Sequence, residues 1–173
     1  LLISWSQKSD LGTLTAADQV ASPPVLQGQS LYCGMYMNEL LMRLLHRGDP
    51  HAEVFERYRL ALSELSAETS PQPLLRIFEK HLLDAIGYAM LLDREFGSGA
   101  DIQPHCWYVY KPDRGPVLSS SGGDGRISGA ALLALHSESL QPECLPELRK
   151  LMRSVISYHL GGKPLASLSL FSA

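Results

Sequence analysis

A chain of 173 residues, 45% hydrophobic and 19% charged, can bury the core of one folded domain, and its composition excludes a disordered or collagen-like polymer. A formal charge of -3 and a pI near 6.1 argue against binding nucleic acid by bulk electrostatics alone, although a local basic face fits inside an acidic whole. Cys33, Cys106 and Cys144 are widely spaced and form no CxxC pair, which argues against a disulfide framework, rules out a four-cysteine zinc site and fits a reducing cytoplasm.

The chain opens on Leu1-Leu2-Ile3-Ser4-Trp5-Ser6, without an initiator Met, a basic leader or an apolar run of signal-peptide length. This abrupt apolar start predicts that the chain begins inside a folded element. No run approaches the roughly 18 apolar residues of a membrane span, so a soluble protein with no membrane partner is expected. Residues 1–6 and 12–20 read as two short strands joined by turn chemistry at Lys8-Ser9-Asp10. Ser22-Pro23-Pro24 then ends any regular element, because consecutive prolines hold the backbone extended.

After the prolines the period becomes helical. Over residues 29–46, Leu31, Tyr32, Met35, Tyr36, Leu40, Leu41, Leu44 and Leu45 cover more than one face, which predicts a central, largely buried helix. Gly48-Asp49-Pro50 ends it. A second helix over 52–65 carries the stripe Val54, Phe55, Tyr58, Ala61, Leu62 and Leu65. Thr69-Ser70-Pro71 is predicted to cap a third helix over 73–88, with Leu75, Phe78, Leu82 and Ile86 inward and Gly87 near its stop. Residues 91–125 are rich in Gly, Pro and Ser. They read as an inserted excursion, with a hairpin of 106–110 and 116–119 packed around Trp107, Tyr108 and Tyr110. Ser128 is expected to cap a short helix through Leu135. A last long helix over 141–160 shows Leu148, Met152, Val155, Ile156 and His159 on one face and stops at Gly161-Gly162.

Two stretches of this pattern resemble the RecO family of bacterial recombination mediators, in the form found in gammaproteobacteria. One is Leu31-Tyr32-Cys33-Gly34-Met35-Tyr36-Met37-Asn38-Glu39-Leu40-Leu41, followed by Leu75-Arg76-Ile77-Phe78-Glu79 and Ile86-Gly87-Tyr88. The other is His159-Leu160-Gly161-Gly162-Lys163-Pro164-Leu165 with Leu170-Phe171. The resemblance implies a mainly α fold: a helical body, a residual OB-type strand pair at the N-terminus and a small inserted β-hairpin lobe. Residues 1–22 would be the remnant of an OB barrel whose N-terminal part is missing. Residues 23–173 would be the helical domain, with the lobe at about 91–125. The family implies a non-enzymatic role in DNA repair. Its members bind single- and double-stranded DNA and anneal strands, hold the acidic C-terminal tail of single-stranded-DNA-binding protein, and work with RecR to load RecA. If the barrel is absent, weaker DNA binding than that of a full-length relative is expected.

Many family members hold zinc with four cysteines in the lobe. Here only Cys106 lies there and His105 does not complete a set, so no metal and no cofactor are expected.

The resemblance places Arg76 in the pocket for the partner tail, with Leu75, Phe78 and Leu82 forming an apolar slot. The chemistry is independently suitable, since a guanidinium grips carboxylates in a bidentate manner. A solvated surface arginine is the alternative reading. Lys163, after a double glycine, is either a second anion contact or a charge that favours the helix C-terminus. Arg149, Lys150 and Arg153 are the densest basic cluster. They read either as contacts to DNA phosphates or as an ordinary polar face opposite Leu148 and Met152. Tyr32, Tyr36 and Tyr58 read as core. Ser119-Ser120-Ser121-Gly122-Gly123-Asp124-Gly125 lacks the GK[ST] ending of a phosphate loop, and the six histidines form no HxxxH pair, so no catalytic site is expected. A helical interaction module without any DNA role is the alternative to a repair protein.

Overall fold

The computed structural model describes residues 1–8, 11–20, 22–46, 48–67 and 70–172. Strands β1 (Leu2–Gln7) and β2 (Gly12–Asp18) pair antiparallel from Leu2↔Asp18 to Gln7↔Gly12, with an irregularity at Ser4/Trp5. Every residue of both strands is exposed. Ser9 and Asp10 of the expected turn lie outside the described residues.

The helical body follows with α1 (Gly28–Leu44), α2 (Ala52–Ser66) and α3 (Pro71–Ala85). Helix α1 is less buried than its sequence suggests. Cys33, Gly34, Tyr36, Met37, Leu40 and Leu44 face inward, whereas Leu31 and Met35 are 43% and 47% exposed. The apolar residues wrap around the cylinder, but packing partners cover only one side of it. On α2, Val54, Ala61 and Leu65 are buried and Phe55 is exposed. Helix α3 starts two residues earlier than expected, since proline at the first helical position costs no hydrogen bond. Ser70 takes the position before it without a side-chain cap bond, and Thr69 is outside the described residues. The helix ends before Tyr88. Gly87 adopts a φ of +84°, and the Tyr88 N–H donates back to the Leu83 carbonyl at 2.8 Å, the glycine-terminated cap that suits this backbone.

Strands β3 (Trp107–Lys111) and β4 (Gly115–Ser119) form an antiparallel hairpin, and β5 (Ile127–Ser128) adds to the other edge of β3. Of the three aromatics expected to hold this region, Tyr108 is fully buried and its hydroxyl accepts from the Gln103 N–H at 2.9 Å. Tyr110 is half-buried and Trp107 is exposed. Helix α4 (Gly129–His136) is capped by Ser128, whose hydroxyl accepts from the Ala131 N–H, and the Ser128 N–H donates to Glu147. The last long helix is divided: a 3-10 turn, Pro142–Cys144, precedes α5 (Leu145–His159), because Pro146 permits only a first-turn position. A 3-10 segment, Ala166–Ser172, follows.

Two apolar clusters form the core. The first joins α1 and α2 to Leu75, Phe78 and Leu82 of α3, with Ile156, Leu160 and Leu165. The second joins Leu83, Leu92, Ile102, Tyr108 and Ile127 to Ala131, Leu132 and Leu135 of α4 and to Leu148, Met152 and Val155 of α5. Helices α3 and α5 contribute to both, so their contact is the shared wall. The second cluster needs a very close approach at Gly129, whose N–H donates to the Cys106 carbonyl and where an added Cβ would lie 2.0 Å from the Gln103 oxygen. The C-terminal segment is tied to α1 by Glu39. Its carboxylate accepts from the N–H groups of Ala166 and Ser167 and from the Ser167 hydroxyl at 2.6–2.9 Å, while Arg43 donates to the Pro164 carbonyl.

Gly129→Ala is expected to destabilise the fold by about 3 kcal/mol in urea melts, because the obstacle is backbone rather than a flexible side chain. Glu39→Ala is expected to cost about 2 kcal/mol and to speed amide exchange over 166–172. Burial raises the Glu39 pKa, but the Ser167 and Ala166 donors and Arg43 outweigh it, and the net shift is downward. Its contribution is therefore complete above the unfolded carboxylate value, about 4.3, and is lost as pH falls through the lower folded value. Acid melts of the wild-type protein and of Glu39→Ala should converge in that range.

Candidate functional site

Helix α3, the C-terminal half of α5 and the 166–172 segment enclose a cavity of about 250 Å³. Whole small ligands occupy clefts of roughly 300–1,000 Å³, so this one suits a single large side chain. Its apolar wall includes Leu75, Ile156, Leu160, Leu165, Leu168 and Phe171. The Phe171 ring meets Tyr32 and Tyr36 edge-on, each at 6.3 Å between centroids. Four cations line the same space, Arg76, Arg149, Arg153 and Lys163, and among the described residues no carboxylate does.

Arg76 is the deepest of the four, only 5% exposed, rather than a rim residue. One turn along α3, Glu79 is 1% exposed. Arg76 Nη2 donates to Glu79 Oε1 at 2.7 Å, and the Tyr36 hydroxyl donates to the same oxygen at 2.6 Å. Arg76 Nε and Glu79 Oε2 are buried without a hydrogen-bond partner among the described residues. Burial pushes the Glu79 carboxyl up, against the opposing pull of Arg76, of the Tyr36 hydrogen bond and of Arg153. Burial beside Glu79 also pushes the Tyr36 hydroxyl well above its ordinary range.

Of the five residues named for a partner-tail site, Leu75, Arg76 and Lys163 line this cavity. Phe78 and Leu82 stand behind the wall, in the first core, and do not line the cavity. Arg149 and Arg153 share the space with Arg76, while Lys150 lies outside it. Arg149 and Arg153 also open onto a second, shallower concavity with Lys150, Leu145 and Pro146, again without a carboxylate. A third cleft holds Trp107, Tyr110, Arg126 and Lys150, but Asp124 and Glu147 match its cations. Among the described residues, no three His, Cys, Asp or Glu side chains gather as a metal ion requires, and no helix is long and apolar enough to cross a membrane.

Sequence reasoning missed Glu79, Tyr36 and Phe171. One signal for Glu79 was available: it stands four residues after Leu75 and three before Leu82, on the inward stripe of α3. An acid there is either paired or unstable, and Arg76 three residues earlier is the available partner.

The family described as "Recombination protein O C terminal" matches residues 26–169. The DNA repair protein RecO of Nitrosospira multiformis is 45% identical over 169 residues, covering 95% of this chain and 70% of that protein. The RecO proteins of Nitrosococcus oceani and Thiobacillus denitrificans are each 41% identical, over 98% and 95% of this chain and 70% and 68% of their own length. The chain belongs to the RecO family of DNA repair proteins.

Proposed function

We propose that the cavity between α3, α5 and the C-terminal segment receives the acidic C-terminal tail of single-stranded-DNA-binding protein. The observation that carries this reading is the lining itself: an apolar slot sized for one ring, lined by four cations and, among the described residues, by no carboxylate. A peptide that ends in Phe brings a ring, a terminal carboxylate and upstream aspartates. The ring enters the slot. The terminal carboxylate meets Arg76, whose position is fixed by Glu79. Upstream acidic residues leave over Arg149 and Arg153 toward Lys150 in the second concavity. The fit is one of binding, with no bond-making step. Charge-assisted contacts to arginine give such a site its selectivity for carboxylates over neutral apolar peptides.

On this reading the protein is a non-enzymatic mediator in recombinational repair. It acts in the cytoplasm, where it is brought to DNA through the tail and works with RecR to load RecA. The β1–β2 pair is the part of the chain assigned to the OB-type barrel of the family. Arg149, Lys150 and Arg153 form the cationic face available to DNA phosphates, and two of them also line the tail cavity. A strand and an acidic tail therefore meet the same charges.

A fluorescent acidic peptide ending in Phe, followed by anisotropy, is expected to bind saturably. Arg76→Ala should weaken it by about 1–3 kcal/mol, the range of a charge-assisted contact. Amidation of the terminal carboxylate should produce a similar loss. Lys163→Ala should reduce affinity less, since an exposed charge is screened by solvent and salt. No binding by the wild-type chain would remove the tail assignment. Saturable peptide binding with no DNA retained in a filter assay would favour the interaction module without a DNA role.

A further inference from the structure

The cavity is cationic, yet its deepest cation already has a partner. Glu79 is fully enclosed, sits 2.7 Å from the Arg76 guanidinium and is not among the residues that line the cavity. A ligand carboxylate arriving at Arg76 would thus place a second anion on a guanidinium that one anion already neutralises. Two carboxylates that share a dry site do not both remain ionised, because mutual repulsion in a low dielectric favours protonation of one. The ligand carboxylate reaches the pocket from water and the Glu79 carboxylate has no water to return to, so Glu79 is the one that is neutralised.

We propose that Glu79 attenuates the pocket's affinity for anions, and that it takes up a proton from solvent when a carboxylate ligand docks against Arg76. The inference rests on the tail-binding reading above and adds a regulatory group to that site. In the unliganded protein Glu79 holds Arg76 in place and offsets its charge. Ligand binding transfers Arg76 to the incoming carboxylate, and the neutral Glu79 acid keeps the hydrogen bond from Tyr36.

The groups facing Glu79 do not supply the same proton. From α3 there is Arg76. From α1 there are Tyr36, held well above its ordinary range, and Cys33, pushed up to about 11 chiefly by burial. From α5 there is Arg153. Among the described residues, no histidine lines the cavity. The histidine nearest to it in sequence is His159, which precedes the wall residue Leu160, stacks on Tyr88 at 4.1 Å and is shifted down by burial.

The sign follows from linkage. If binding takes up a proton, affinity rises as pH falls and levels off where Glu79 is already protonated in the free protein. The ligand's own carboxylates ionise near about 3.5–4, so they remain charged above about pH 5. The window to measure is therefore about pH 5.5 to about pH 8.

The experiment titrates the acidic peptide ending in Phe into the wild-type protein, Glu79→Gln and His159→Gln across that window. Calorimetry in two buffers of different ionisation enthalpy counts the protons. Wild-type affinity is expected to rise at least about threefold from the alkaline to the acid end, with fractional proton uptake. His159→Gln should behave as wild type. Glu79→Gln, which keeps an acceptor for Tyr36 and Arg76, should bind as tightly as the wild type does at its acid end, with no pH dependence. A slope that survives in Glu79→Gln, a slope lost in His159→Gln, or zero proton uptake by the wild type would each overturn the proposal. Should Glu79→Gln fail to fold, the wild-type proton count decides, with the amidated peptide expected to take up less. Tight, Arg76-dependent binding without proton uptake removes this inference alone. Absence of peptide binding at any pH removes the tail reading with it.

Discussion

A guanidinium and a carboxylate lie side by side in the buried junction between α1, α3 and α5, and Arg76, the deepest of the cavity's four described cations, is held there by that pair. Enclosing each charge costs several kcal/mol in lost hydration, which the short contact and the Tyr36 hydrogen bond only partly offset. Packed hydrocarbon would fill the same volume at least as stably. Stability alone does not call for an ion pair here. What the pair provides is a positive charge held inside an apolar wall at a fixed angle, which a flexible surface arginine cannot supply. Arg76 can be buried only with Glu79 beside it, and Glu79 only with Arg76, so the two positions form one feature of the fold.

The helical framework around this pair was legible in the sequence because periodicity reports burial directly. The inward stripes of α2, α3 and α5 stand where Val54, Leu75, Phe78, Leu148 and Met152 place them. The glycine stops after α3 and α5 also fall as read. Gly161 has a φ of +64°, and Gly162 donates back to Ser157. Helix α1 was harder, since its apolar residues surround the whole cylinder and periodicity cannot tell which side will find a partner. Leu31 and Met35 remain in solvent for that reason.

The cavity was legible only in pieces. Leu75, Arg76 and Lys163 could be named from the resemblance. That Arg149 and Arg153 join them depends on how α5 crosses α3, a long-range contact with no local signature. Phe78 and Leu82 share the stripe of Leu75, yet they point to the other side of the wall, into the core with α1 and α2. A stripe on one helix cannot distinguish a residue that lines a cavity from one that supports it. Phe171 was visible as part of a tail motif, but its role as a wall depends on Glu39, more than a hundred residues away, accepting from Ser167.

That last contact separates the pocket from the scaffold that carries it. Apart from Leu165, the buried residues of both core clusters come from the chain up to Leu160. The cavity also needs Leu165, Leu168 and Phe171, which line it, and Glu39, which fastens their segment. A chain lacking residues 166–172 would keep most of both core clusters and lose its wall, so damage to this short segment would disable the pocket while leaving the scaffold standing.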